Sequence, residues 1–175
     1  MARKKLTDVE HQISAFLTAV NEEKDFPCVL VATTFLDDAL AALLIARLAD
    51  PDKAKQLIGR GGGIPALESF ATRILTAYCM GLIPKRIYTN LDNIREIRNR
   101  FAHPQSPIDF GDKEVSDFCD KLILRNRPFA EEDRPAKAFY NTPRKKFTII
   151  ANDALAAMIL SRKELKRLPI MQEDQ

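Results

Sequence analysis

The run from Pro27 to Leu48 constrains this chain more than any other. Its only charges are Asp37, Asp38 and Arg47. As a helix it has no polar face: Val29, Ala32, Leu36 and Leu43 lie on one side, Leu30, Leu44 and Leu48 on another. A helix that is apolar all round must be enclosed, either by lipid or by other helices. The two aspartates fall in its middle, where a bilayer is driest, so a membrane span is not expected. The reading is instead a central helix wrapped by a bundle. A chain of 175 residues has room for one such domain over residues 1–175, with mobile ends expected at 1–6 and 169–175. The opening MARKKLTDVEHQ has no apolar stretch behind its basic residues, so no signal peptide is expected and a cytoplasmic protein is.

The remaining elements follow from caps and periodicity. Thr7 and Glu10 form a T-x-x-E capping box ahead of Val9, Ile13, Phe16, Leu17 and Val20, which predicts a helix over roughly 8–21. Asp25 is an N-cap candidate for the central helix, and Asp50-Pro51 stops it. A short helix follows over 52–57. The next is predicted to start near Pro65 and to end at Gly81. Pro84 opens a helix that Pro104 stops. Val115, Phe118, Cys119 and Leu122 mark another. Residues 125–141 lack periodicity and read as a surface excursion. Thr142-Pro143 opens the last helix. No alternating strand pattern survives, so the expected fold is an all-α, single-domain bundle of about six to eight helices.

Composition narrows the chemistry. His11 and His103 are the only histidines, which excludes multi-histidine metal sites. Cys28, Cys79 and Cys119 are odd in number, widely spaced and set in apolar sequence, so they read as buried reduced thiols. No cofactor motif and no metal-ligand set is readable. Gly59-Arg60-Gly61-Gly62-Gly63 has neither the Lys-Ser/Thr of a P-loop nor a preceding strand, and reads as a turn. The net charge of +3 hides a split. Residues 125–167 carry +6 and the rest −3, so Arg144, Lys145 and Lys146 are candidates for contact with nucleic acid or an acidic partner.

The densest chemistry lies between Asn93 and Pro104. Helical spacing puts Ile87, Leu91, Ile94, Arg98 and Phe101 on one stripe. A guanidinium there needs a carboxylate, and Asp37 or Asp38 of the central helix would supply it. The alternative is a rotated helix with Arg98 at an exposed edge. Arg95, Asn99 and His103 line the adjacent ridge. His103, just before Pro104, reads as a helix-terminal residue near the last carbonyls.

The string Arg98-Asn99-Arg100-Phe101-Ala102-His103, with Gly81-Leu82-Ile83 and Ile94-Arg95-Glu96-Ile97 ahead of it, resembles the mannitol operon repressor family. Leu36-Asp37-Asp38-Ala39-Leu40, Leu67-Glu68-Ser69-Phe70-Ala71-Thr72-Arg73-Ile74 and Asp109-Phe110 are similar to that family too. The resemblance spans about residues 8 to 160. It implies an all-helical bacterial repressor of a mannitol utilisation operon. It makes Asp37, Asp38, Arg73, Arg95, Arg98, Asn99 and His103 a candidate partner-binding or functional cluster.

DNA reading is less well supported by the residues. The nearest pair to a helix-turn-helix is joined by Gly81-Leu82-Ile83-Pro84, with Lys85, Arg86, Tyr88, Thr89 and Asn90 as reader candidates, and Asp92 and Glu96 follow close behind. The expected function is therefore a regulator acting through a protein partner, with weak direct DNA contact at most. A different class competes with it. Arg98-Asn99 and His103 also resemble the R-N-x-x-x-H motif of the HEPN superfamily. That resemblance implies a metal-independent ribonuclease working as a homodimer, with His103 as acid/base and Arg98 on the phosphate.

Overall fold

The computed structural model describes residues 7–59, 65–102, 108–124 and 141–170. The expectations for residues 1–6, the glycine run from Arg60 to Gly63, His103, the excursion over 125–140 and residues 171–175 lie outside them. Seven helices and no strand occur among the described residues: α1 (Asp8–Glu22), α2 (Asp25–Arg47), α3 (Pro51–Leu57), α4 (Phe70–Cys79), α5 (Lys85–Ala102), α6 (Lys113–Asp120) and α7 (Pro143–Glu164). This is the expected all-α bundle.

α2 is its axis. α1, α3, α4, α5 and α7 all pack on it. Cys28, Val29, Ala32, Leu36, Leu40, Ala41, Leu43 and Leu44 have no exposed surface. With a mean hydropathy of 2.0 over 18 residues, α2 is long and apolar enough to cross a membrane. Here neighbouring helices take the place that lipid would. The core continues through Phe101, Phe110 and Phe147, whose ring centroids lie 5.4 and 5.3 Å apart in succession. This aromatic chain joins α5, the segment before α6, and α7.

Local chemistry sets most boundaries. The Thr7–Glu10 capping box is present on both sides, and Asp50, Ser69, Asp112 and Thr142 cap α3, α4, α6 and α7 through their side chains. α4 ends in a Schellman turn: Gly81 N–H donates to Tyr78 and Leu82 N–H to Ala77, with Gly81 at φ +67°. Two boundaries differ from expectation. α4 starts at Phe70, not near Pro65, because the Ser69 hydroxyl accepts from Thr72 N–H and Leu67 N–H is drawn back to the Leu57 carbonyl. Asp25 opens α2 without capping it; its carboxylate accepts from Phe110 N–H at 3.1 Å and from Arg144 at 2.5 Å.

The roll of α5 is the largest departure. Its buried stripe is Ile87, Asn90, Leu91, Ile94, Ile97 and Phe101, and Arg98 lies outside it, exposed. The amide of Asn90 supplies the reason. It has no exposed surface, and it both donates to the Ile123 carbonyl and accepts from the Ile123 N–H, each at 2.8 Å. A polar residue satisfied in this way can sit inside, so the helix turns its Asn90/Ile97 side inward. Asn90→Ala leaves both Ile123 backbone groups without that partner. It should lower stability by about 2–3 kcal/mol in urea unfolding with the fold retained.

The thiols also divide. Cys28 and Cys119 are buried, but Cys79 is exposed on the outer side of α4, which corrects the expectation of three buried thiols. Burial pushes the Cys119 thiol up to about 12. It raises Cys28 as well, against the opposing pull of Arg144. Iodoacetamide at neutral pH should therefore label Cys79 alone in the native protein, as read by peptide mass spectrometry. Cys28 and Cys119 should react only on unfolding.

Candidate functional site

The residues expected to cluster divide into a structural set and a cleft. Arg73, not Arg98, is the arginine that the central helix holds. It lies on the inward side of α4 and is 6% exposed. Its Nη1 donates to Asp37 Oδ2, its Nε to the Leu67 carbonyl at 2.8 Å and its Nη2 to the Ile58 carbonyl at 2.9 Å. One guanidinium thus ties α2, the end of α3 and the segment leading into α4. The expected buried pair of Arg98 with Asp37 or Asp38 is not formed: Arg98 is exposed, and Arg73 holds Asp37 instead.

Asp37 and Asp38 serve different faces, since consecutive helical residues point about 100° apart. Asp38 is exposed and lines a groove of about 170 Å³ with Phe35, Ala39, Leu155 and Arg162. Asp37 lines a cleft of about 310 Å³ between α2, α5 and the start of α4. Thr33, Thr34, Glu68, Ser69, Phe70, Arg95 and Arg98 complete its walls. Asp37, Arg95 and Arg98 of the expected cluster therefore meet in one cleft, with Arg73 behind Asp37.

The two arginines of α5 are in different states. Arg95 is bound to Asp92 at 2.9 Å and to Glu96 at 2.5 Å. Partial burial works against its charge, but these two carboxylates more than reverse that, and its pKa ends above the usual arginine value. Arg98 reaches only the Asn99 side-chain oxygen, at 3.4 Å. It has no carboxylate partner among the described residues. On the opposite wall, Asp37 Oδ1 is buried and accepts no hydrogen bond there. Sequence reasoning missed Thr33, Thr34, Glu68, Ser69 and Phe70. Glu68, Ser69 and Phe70, at the start of α4, could have been found through the Ser69 cap.

The basic candidates at the start of α7 are bound into the fold. Arg144 donates to Asp25, to the Val20 carbonyl at 3.3 Å and to the Glu23 carbonyl. It fastens the end of α1 and the start of α2 to α7. Lys146 donates to the Asp120 carbonyl at 3.0 Å. These two do not stand free for phosphate, which corrects that expectation for Arg144 and Lys146. Among the described residues no group of His, Cys, Asp and Glu is placed to hold a metal ion.

The pairing of Arg73 with Asp37 makes a stability prediction. Arg73→Met leaves a largely buried carboxylate and two carbonyls without their donor, and should cost about 2–4 kcal/mol. The double variant Arg73→Met/Asp37→Leu should cost less than the sum of the single changes, since the stranded charge is gone. A double-mutant cycle in denaturant measures the difference.

No family model matches the chain, and no curated protein sequence does. Solved structures do. One is MtlR in the MtlR–HPr complex from Escherichia coli, with 18% identity, 85% of this chain and 98% of that chain covered, and a TM-score of 0.62. Another is a possible transcriptional regulator, YggD, from Shigella flexneri, with 20% identity, 94% and 100% covered, and a TM-score of 0.59. At these identities the likeness is one of fold, over nearly the whole of both neighbours.

Proposed function

We propose that this chain is a cytoplasmic transcriptional regulator that acts through a protein partner of the HPr kind rather than by reading DNA itself. Mannitol utilisation is the operon the sequence resemblance suggests. The observation that carries this reading is the state of the would-be reader residues at the start of α5. Arg86 is spent on Asp153 at 2.5 Å, the Tyr88 ring is stacked on Tyr78 at 4.5 Å, and Asn90 is fully buried. A recognition helix needs those side chains free to enter a groove. The bundle shared with MtlR, which was solved bound to HPr, supports a protein partner in their place.

Titrating the purified chain with Escherichia coli HPr by calorimetry should give saturable binding. An absence of binding up to about 1 mM would sink the partner reading. In a gel shift at moderate salt, the chain alone should retard operator DNA weakly and without sequence preference. Tight, specific retardation would overturn the reading from the other side.

A second reading keeps one observation in its favour: Arg98 is exposed in a cleft rather than locked in a buried pair. That leaves it available for a scissile phosphate in a HEPN-type ribonuclease with Asn99 and His103. Cleavage of labelled RNA that is lost in both Arg98→Ala and His103→Ala would establish it. Cleavage by neither wild type nor variants excludes it.

A further inference from the structure

We propose that the outer face of α4 pairs with a second copy of this chain, the two α4 helices lying antiparallel with Leu75 at the two-fold axis. The inference rests on the charge and size pattern of that face, and does not depend on the regulatory reading.

Among the described residues, α4 alone of the seven helices exposes no charge. Its one charged residue, Arg73, is buried and turned to Asp37. α4 packs on α2 and α5, and its far side carries Ala71, Thr72, Leu75 and Cys79, all exposed. Ala71, Leu75 and Cys79 recur at intervals of four, so they form one stripe. Leu75 stands at its middle with 53% of its surface exposed. A helix face meant for water alone carries charged residues, as the other six do. An exposed apolar stripe with polar residues at its rim marks an interaction surface.

The charges at its two ends select the occupant. Glu68 stands just ahead of the Ser69 cap, where it also edges the cleft. Lys85 opens α5, just past the turn at Gly81 that ends α4. Both are exposed, and neither has an ion pair among the described residues. A face with a small residue on either side of a leucine, and opposite charges beyond its two ends, is complementary to its own copy after a half-turn.

In that pairing the two Leu75 side chains meet and Ala71 faces Cys79 of the partner subunit. Glu68 then lies toward Lys85 of the partner subunit, and the same contact repeats at the other end. Parallel pairing would set Glu68 against its own copy and Lys85 against its own, so the charges choose the antiparallel arrangement. No charge loses its water at the centre of the contact. One face of a ten-residue helix is a small interface, so the dimer should dissociate at about 10–500 μM.

Sedimentation equilibrium on the full chain, up to about 1 mM, should show monomer–dimer association. Leu75→Glu places two like charges at the axis and should weaken it by at least about tenfold. Glu68→Lys and Lys85→Glu should each weaken it by about threefold. The double exchange Glu68→Lys/Lys85→Glu should restore it, a rescue that only contact between these two positions provides. Under mild oxidation, Ala71→Cys should form a disulfide with Cys79 of the partner subunit. Within one chain positions 71 and 79 lie about 12 Å apart along the helix, too far to be bridged. All four substituted positions are exposed, so the variants fold, and circular dichroism checks this. A chain that stays monomeric at about 1 mM overturns the proposal. So does association that Leu75→Glu leaves unchanged, or a preferred disulfide between the two copies of Cys79. A monomeric chain whose HPr binding is lost in Leu75→Glu gives the face to the protein partner and overturns it too.

Discussion

Everything in this fold depends on enclosing α2. Its apolar surface runs all the way round, so water has to be excluded from every side, and one or two partners cannot do that. Five helices share the task. Each of them needs only one apolar face, and that is why their sequences show ordinary amphipathic spacing while α2 shows none. Burial of this helix supplies the centre of the core. It also has a cost in design: a charge carried on an inward side of α2 must find its partner within the bundle.

The polar stitches are the answer to that cost. Asp25 at the start of α2 takes Arg144 and the Phe110 N–H. Asp37 at its middle takes Arg73. Arg47 at its end donates to the Lys166 carbonyl at 2.6 Å, while Arg167 reaches the Ile45 and Leu48 carbonyls. Each stitch joins α2 to a segment distant in sequence. Together they fix where the neighbouring helices sit along the axis, a matter on which apolar contacts are less selective. The cleft is a by-product of the middle stitch. Arg73 occupies one oxygen of Asp37, and the other is buried.

Legibility in the sequence followed the range of the interaction. The capping box at Thr7, the stop at Asp50-Pro51, the glycine end of α4 and the Thr142-Pro143 start of α7 are all local, and all were readable. The start of α4 was placed too early: the Ser69 cap is local and readable, but Leu67 pairing with Leu57 across a turn is not. The stripe of α5 was read correctly at Ile87, Leu91, Ile94 and Phe101, but Asn90 and Ile97 were left out of it and Arg98 was put in. Hydropathy counts Asn90 as an outside residue, and only its pairing with Ile123, 33 residues away, brings it inside. The site inherits that error. Arg98 was expected in the core, Arg73 in a partner-binding or functional cluster, and Arg144 on nucleic acid or an acidic partner; Arg73 and Arg144 are bound into the fold.

The sequence by itself determined that α2 must be central and that the regular structure of the described residues is helix, because both follow from composition and spacing along one element. It also singled out the acidic pair on α2 and the arginines of α5 as the chemistry to watch. Only the tertiary structure decided which arginine meets which aspartate. A charge pair depends on the roll and offset of two helices packed together, which the spacing along either one alone does not fix.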